Sequence, residues 1–176
     1  MQKLDTLLAG LVILFVASTT AMADLSIRFV ESAPKDSFRF SVSEKCKLPE
    51  GKIVINLKGS QGNLIFDTEP TGLGVEVYQK FEKVAGSNLF AIENNITDGD
   101  QALTLNVKPL SEGQDFSFTI DVDDQLTNSS LGQIRVADQE ITGASISYIS
   151  AGGDISQEAV FGAEAEAILS LQCQSL

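Results

Sequence analysis

The chain has 176 residues, with 24 acidic and 12 basic side chains, a formal net charge of −12, two cysteines, no histidine and no tryptophan. The lack of histidine excludes Ser-His-Asp and Cys-His nucleophile systems and removes the commonest transition-metal ligand. The strong negative charge disfavours binding to nucleic-acid phosphates and to anionic membrane surfaces.

Residues 1–23 have the pattern of a signal peptide. An apolar run from Leu7 to Ala17 is followed by Ala21-Met22-Ala23, which fits the small-x-small site cut by signal peptidase. The run is too short to span a bilayer comfortably. We therefore expect a mature chain that begins at Asp24 and forms one domain over residues 24–176. No membrane span is expected after signal cleavage, and the predicted location is secreted or periplasmic.

Apolar and polar residues alternate through most of the mature chain, which is typical of half-buried β-strands. Leu25, Ile27 and Phe29, for example, are separated by single non-apolar positions. The predicted strands cover residues 25–31, 38–43, 53–57, 64–66, 75–77, 103–107, 116–122, 134–136 and 141–149. Short strands at this spacing, separated by turn residues, predict an all-β fold with a single antiparallel β-sandwich, immunoglobulin-like or jelly-roll-like.

The segment Glu158–Gln172 carries two conflicting signals. Its alanine and glutamate content suits a helix. However, every second residue from Ala159 to Leu171 is apolar, which is the period of a strand. We give the period more weight than the propensity and predict one long strand.

The two cysteines are Cys46 and Cys173. An even cysteine count in an exported chain predicts a disulfide, here one that closes most of the domain into a loop. The alternative is two free thiols. No CxxC motif is present, so thiol-exchange chemistry is not supported.

An acidic cluster ends the strand predicted at residues 116–122. Asp121 and Asp123 lie on the face opposite the apolar residues, and Asp124 begins the turn. Neighbouring carboxylates raise each other's proton affinity unless a cation intervenes, and Ca²⁺ prefers such oxygen ligands. Asp121, Asp123 and Asp124 are therefore the predicted calcium ligands, and the acidic turn Asp98-Gly99-Asp100 contributes if the fold brings it near. The alternative is a solvated acidic turn that blunts a sheet edge.

No catalytic residues are predicted, and the chain is not expected to be an enzyme. Paired carboxylates could in principle hydrolyse sugars, as in glycosidases. The chain has no tryptophan to stack on a sugar ring, and it has only two tyrosines. A hydrolase that uses carboxylates alone is therefore the least favoured of the functions considered.

Four segments carry a family resemblance. They are Asp24–Asp36 (DLSIRFVESAPKD), Asn63–Asp67 (NLIFD), Gly74–Gln79 (GVEVYQ) and Phe118–Asp124 (FTIDVDD). On these segments the mature chain resembles the bacterial exported proteins called aggregation factor core proteins. The family name comes from sponge proteoglycan aggregation factors, which join cells in a calcium-dependent way.

The resemblance implies a non-enzymatic binding or adhesion module, supported by calcium. Its expected partner is a cell-surface or extracellular ligand, either carbohydrate or protein. The alternative is a structural subunit of a surface assembly, which would need a sheet edge open to strand addition.

Overall fold

The computed structural model describes residues 21–43, 46–129 and 131–175. These residues form strands, turns and loops, with no helix among them. Two large antiparallel sheets enclose one apolar core. The predicted all-β sandwich is therefore confirmed.

Thirteen strands are found in the described part of the chain. In chain order they are β1 (Ala21–Val30), β2 (Ser37–Val42), β3 (Cys46–Lys47), β4 (Gly51–Asn56), β5 (Ile65–Asp67), β6 (Glu82–Ala85), β7 (Phe90–Ile92), β8 (Ala102–Val107), β9 (Asp115–Thr119), β10 (Asp121–Asp123), β11 (Ser145–Ser150), β12 (Ser156–Val160) and β13 (Glu166–Ser175).

The strands form three sheets. One sheet has six strands in the order β3-β13-β1-β2-β9-β6, and the facing sheet has five in the order β12-β11-β4-β8-β7. A small third sheet consists only of β5 and β10. This two-stranded sheet holds the acidic residues described below.

Phenylalanines dominate the core on the six-stranded sheet. Phe40 is the cross-strand partner of Phe116, and their rings stack with centroids 4.3 Å apart. Phe38 and Phe118 form the next such pair, at 5.2 Å. Stacked aromatic pairs of this kind stabilise a core by about 0.5–1.5 kcal/mol beyond their area burial. They fix the register of β2 against β9, and thereby the position where β9 ends.

The strand predicted at residues 116–122 is interrupted in the structure. β9 ends at Thr119, and β10 begins at Asp121 with a different partner, β5. At the break, the Ile120 N–H donates to the Asp36 carbonyl at 3.0 Å. The chain thus leaves the six-stranded sheet at this point. The alternation of residues 116–119 therefore does not predict whether the aspartates that follow are buried or exposed.

Other strand predictions were also corrected. Residues 75–77 and 134–136 lie in loops and turns, although both contain alternating apolar residues. Strands β6 and β7 were not predicted, because they are short and their sequences do not alternate clearly. Short edge elements depend on pairing with a neighbouring strand more than on their own pattern.

The C-terminal segment is β-structure, as predicted, but it is not one strand. β12 and β13 belong to different large sheets and are joined by a tight turn at residues 161–165. The turn contains Ala165 at φ +55° and a hydrogen bond from the Ala165 N–H to the Gly162 carbonyl at 3.0 Å. Phe161 and Ala165 are buried within the turn itself, so the apolar period continues across it and the sequence shows no break.

The predicted signal peptide and disulfide lie partly or wholly outside the described residues. Residues 1–20 are not described, whereas β1 already begins at Ala21, inside the predicted leader. Cys46 and Cys173 lie on neighbouring strands, β3 and β13, with Ser175 as the register partner of Cys46. Their side chains are outside the described part of the structure, so the disulfide stays a prediction.

Candidate metal centre

Three aspartates meet on the two-stranded sheet. Asp67 ends β5 and is the direct cross-strand partner of Asp121, the first residue of β10. Asp123 lies two positions further along β10, and therefore on the same face as Asp121. One oxygen from each of the three carboxylates lies within 4.8 Å of the others. We call Asp67, Asp121 and Asp123 the aspartate triad.

The triad is enclosed by protein. None of its three side chains has solvent-accessible surface. A loop closes it on one side, where an added Cβ on Gly74 would overlap Oδ2 of Asp67 and would lie 2.6 Å from Oδ2 of Asp123. Only glycine permits this approach of backbone to carboxylate.

Several triad oxygens have no hydrogen-bond donor. Oδ2 of Asp123 accepts from the Val75 N–H at 2.7 Å, and Oδ1 of Asp67 accepts more weakly from the Glu69 N–H at 3.4 Å. The remaining four carboxylate oxygens, including both from Asp121, are buried and unpartnered. Buried polar atoms are nearly always satisfied, so four together in one place indicate a missing partner.

The buried side-chain amide of Gln79 also has an unpartnered oxygen. The Gln79 carbonyl accepts from the Asp121 N–H at 3.1 Å, and its side-chain amide donates to Oγ1 of Thr119 at 2.8 Å. That hydrogen bond fixes the amide, and its oxygen, Oε1, is buried without a donor. Gln79 is thus attached at both ends to the segment that carries Asp121.

No basic side chain compensates the triad among the described residues. The ion pairs found there lie elsewhere: Lys35 with Glu82, Lys52 with Glu93, and Arg135 with Glu31. Two unit charges 4.8 Å apart repel by about 3.5 kcal/mol at an effective dielectric constant of about 20. Three such pairs would cost about 10 kcal/mol, comparable with the whole stability of a domain. The triad must therefore hold protons or a cation.

The proton affinities of the triad reflect this environment. Burial, followed by the Asp98 and Asp123 carboxylates, raises the pKa of Asp67 to about 7. Burial and then the charge of Asp123 raise the pKa of Asp121 to about 9. Burial also raises the pKa of Asp123, although the hydrogen bond from Val75 opposes the shift. At neutral pH and without a cation, the triad therefore retains protons.

Two further aspartates surround the triad and are held by backbone donors. Asp36 is buried, and its two oxygens accept from the N–H groups of Ser32 and Val122 at 2.7 and 3.0 Å. Burial nevertheless raises the pKa of Asp36 to about 7. Burial also acts to raise the pKa of Asp98, but hydrogen bonds from Leu73 and other backbone N–H groups outweigh it and lower that pKa.

The predicted ligands divide into two groups. Asp121 and Asp123 lie together in the triad, whereas Asp124 is not part of that group. Asp124 is buried, and its Oδ1 caps the next turn by accepting from the Leu126 N–H at 2.9 Å. All three are fully buried, so the alternative of a solvated turn is wrong. The fold brings Asp98, from the second acidic turn, next to Asp67 of the triad, which the sequence had left open.

Sequence reasoning missed Asp67 and Gln79. Asp67 follows a strand in the manner of many turn aspartates, and nothing in its neighbourhood indicates pairing with a residue more than fifty positions away. Gln79 is a single amide in a loop. The pairing of β5 with β10 brings Asp67 beside Asp121, and this pairing is a tertiary feature.

The chemistry of the site suits a hard cation. Ca²⁺ takes six to eight oxygens from carboxylates, amide or backbone carbonyls and water, in a flexible geometry. The triad offers four buried carboxylate oxygens that lack donors. Mg²⁺ demands a tighter octahedron and retains its waters, which an enclosed site accommodates less well.

The comparisons with known proteins give no relative. No family model, no curated protein and no solved structure matches the chain. Within the described residues, no helix is long and apolar enough to cross a membrane. The functional interpretation therefore depends on the geometry of the triad and on the resemblance stated above.

Proposed function

We propose that the protein is an exported, non-enzymatic binding or adhesion module whose β-sandwich is stabilised by one internal calcium ion. The observation that carries the calcium part is the aspartate triad, with four buried carboxylate oxygens that lack donors. A cation would turn the mutual repulsion of the triad into attraction. It would also satisfy oxygens that are otherwise costly to bury.

The burial of the triad favours a structural ion over a catalytic or ligand-bridging one. A metal that binds substrate needs an open coordination position. The triad has no accessible surface, and Gly74 closes it from one side. The same enclosure argues against a hydrolase that uses these carboxylates on a sugar.

The adhesion part follows from the resemblance to aggregation factor core proteins. Two of the segments that carry it, Asn63–Asp67 and Phe118–Asp124, include all three triad residues. A third, Gly74–Gln79, contains the loop that closes the triad. The partner is proposed to be a cell-surface or extracellular carbohydrate or protein. The proposed location, secreted or periplasmic, supplies the millimolar calcium that such modules use.

The rival role as an assembly subunit is disfavoured at one edge of the six-stranded sheet. Strand addition needs an open, regular sheet edge. Strand β6, at one edge of the six-stranded sheet, carries Glu82 and Lys83 and pairs with β9 through an irregular register. Edge charges and bulges are the features that natural proteins use to prevent strand addition.

The calcium proposal is tested by calorimetry on the mature protein. Titration with calcium should give one saturable site per chain, with a dissociation constant in the ~0.1–1 mM range of extracellular modules. Asp115→Asn, on the exposed end of β9, is the matched control and should bind equally well. No heat of binding and no change in melting temperature with calcium would refute the proposal. Adhesion itself is tested by binding of the labelled protein to cells or glycans, with and without EDTA.

A further inference from the structure

The loop that closes the triad is held by hydrogen bonds, several of them to carboxylates. Residues 69–80, which we call the cover segment, connect β5 to β6 without regular secondary structure. The Leu73 N–H donates to Oδ2 of Asp98 at 2.6 Å, and the Val75 N–H donates to Oδ2 of Asp123 at 2.7 Å. These two bonds fasten the middle of the cover segment to the acidic cluster.

Two glycines bring the cover segment close to the cluster. A Cβ on Gly72 would overlap the Asp98 carboxylate, and a Cβ on Gly74 would overlap that of Asp67. The apolar side chains of the segment, in contrast, face solvent: Leu73 is 67% exposed, Val77 49% and Tyr78 37%. Because little apolar surface holds the segment down, its closed position depends on the polar contacts beneath it.

Closure of the segment over the triad is opposed by repulsion among the charged carboxylates. Closing the segment buries the triad, and each repelling pair costs about 3.5 kcal/mol if both members are charged. Opening would admit water, which screens the charges and donates to the free oxygens. A bound dication does the same without opening, and leaves Asp123 Oδ2 free to accept from Val75.

The unpartnered atoms point to a ligand in the closed state. The Asp121 side chain is fully buried with both oxygens lacking donors. Gln79, at the end of the cover segment, is 8% exposed and leaves its amide oxygen without a donor. Thus the two-stranded sheet and the cover segment each contain buried oxygens that lack donors.

We propose that the cover segment is a calcium-dependent lid: calcium binding at the triad closes residues 69–80, and calcium removal opens them. The inference depends on the proposed calcium site. It adds that calcium binding at the buried site changes the position of three exposed side chains, Leu73, Val77 and Tyr78. The lid thereby links calcium concentration to the shape of an exposed apolar surface.

Hydrogen exchange followed by mass spectrometry tests the lid directly on the wild-type mature protein. At calcium ten times its dissociation constant, the open population should fall by about tenfold, as should the exchange rate of amides in residues 72–79. Strand β4 provides the internal reference and should exchange equally with calcium and with EDTA. Global calcium binding is measured in parallel by calorimetry.

A matched pair of glycine variants tests the mechanism of closure. Gly74→Ala should prevent close approach to Asp67 and abolish calcium-dependent protection of residues 72–79. Gly162→Ala is the control, since its added methyl group would meet nothing nearer than 3.9 Å. Far-UV circular dichroism establishes that both variants fold.

The outcomes separate the lid from the calcium site. Calcium binding together with protection of residues 72–79 in wild type, and loss of protection in Gly74→Ala, supports the lid. Calcium binding without protection of these residues overturns the lid and leaves the calcium site standing. Equal protection in Gly74→Ala and wild type also overturns it. Absence of calcium binding in wild type refutes the calcium site and the lid together.

Discussion

Replacement of Asp121 by asparagine should stabilise the calcium-free protein and abolish its stabilisation by calcium. Asp121 is the triad member with both oxygens unpartnered, and its pKa is raised to about 9. Asparagine has nearly the same shape but cannot be charged. The substitution therefore removes repulsion in the empty site and removes a ligand from the occupied one.

The magnitude without calcium follows from the distances in the triad. Asp121 takes part in two of the three repelling pairs, each about 3.5 kcal/mol when both members are charged. Retained protons reduce this at neutral pH, and the new amide brings unsatisfied donors of its own. We expect a net gain of about 1–3 kcal/mol in the free energy of unfolding in EDTA. For a domain of this length, that is a rise of several degrees in melting temperature.

With calcium the stability advantage of Asp121→Asn over wild type should shrink, because only wild type gains from the ion. At ten times its dissociation constant, the ion stabilises wild type by about 1.4 kcal/mol. Asp121→Asn should lose this response, while the exposed control Asp115→Asn should keep it. Thermal unfolding followed by circular dichroism, in EDTA and in about 10 mM calcium (ten times the weakest expected dissociation constant), measures all three proteins. A lower melting temperature for Asp121→Asn in EDTA, or an unchanged calcium response, would refute the reasoning.

Further predictions concern pH, ligand identity and the cysteines. Burial raises the pKa of Asp67 to about 7 and that of Asp121 to about 9, so in EDTA the folded chain holds protons that the unfolded chain releases near pH 4. The melting temperature in EDTA should therefore fall as pH rises from about 5 to about 9. Saturating calcium should make this fall smaller. A melting temperature that rises over this pH range would contradict the raised pKa values of Asp67 and Asp121. In calorimetry, Asp67→Asn should abolish calcium binding whereas Asp124→Asn should retain it, and the opposite result would restore the ligand set expected from sequence. Intact mass under non-reducing conditions should be about two hydrogens below the reduced value if Cys46 and Cys173 are bonded; two alkylatable thiols in the native protein would exclude the bond.

Much of the fold could be predicted because it depends on local periodicity. Alternation of apolar and polar residues identified the central strands of both large sheets, including β2, β4 and β8, whose apolar residues are buried. A strand with one buried face must alternate, whatever it pairs with. The same rule correctly favoured β-structure over helix for Glu158–Gln172.

Two of the errors, at Ile120 and after Val160, share one physical cause. A chain that changes from one sheet to another keeps its period, as at Ile120 and in the turn from Phe161 to Ala165. In each case apolar residues continue the alternation of the strands around the break. The period therefore does not report that Asp121 and Asp123, at the polar positions, are buried as well.

The sequence by itself determined that three carboxylates end a strand and that repulsion among them favours a cation. It could not determine which oxygens share the site. Asp67 joined Asp121 only because β5 pairs with β10, and Asp124 separated from Asp123 because its carboxylate caps the next turn. The sequence also left open whether the cluster is solvated, and the cover segment decided this by burying it beneath Gly74. The type of chemistry follows from residue identity, whereas the ligand set and its dielectric environment depend on contacts between distant parts of the chain, which only the folded structure brings together.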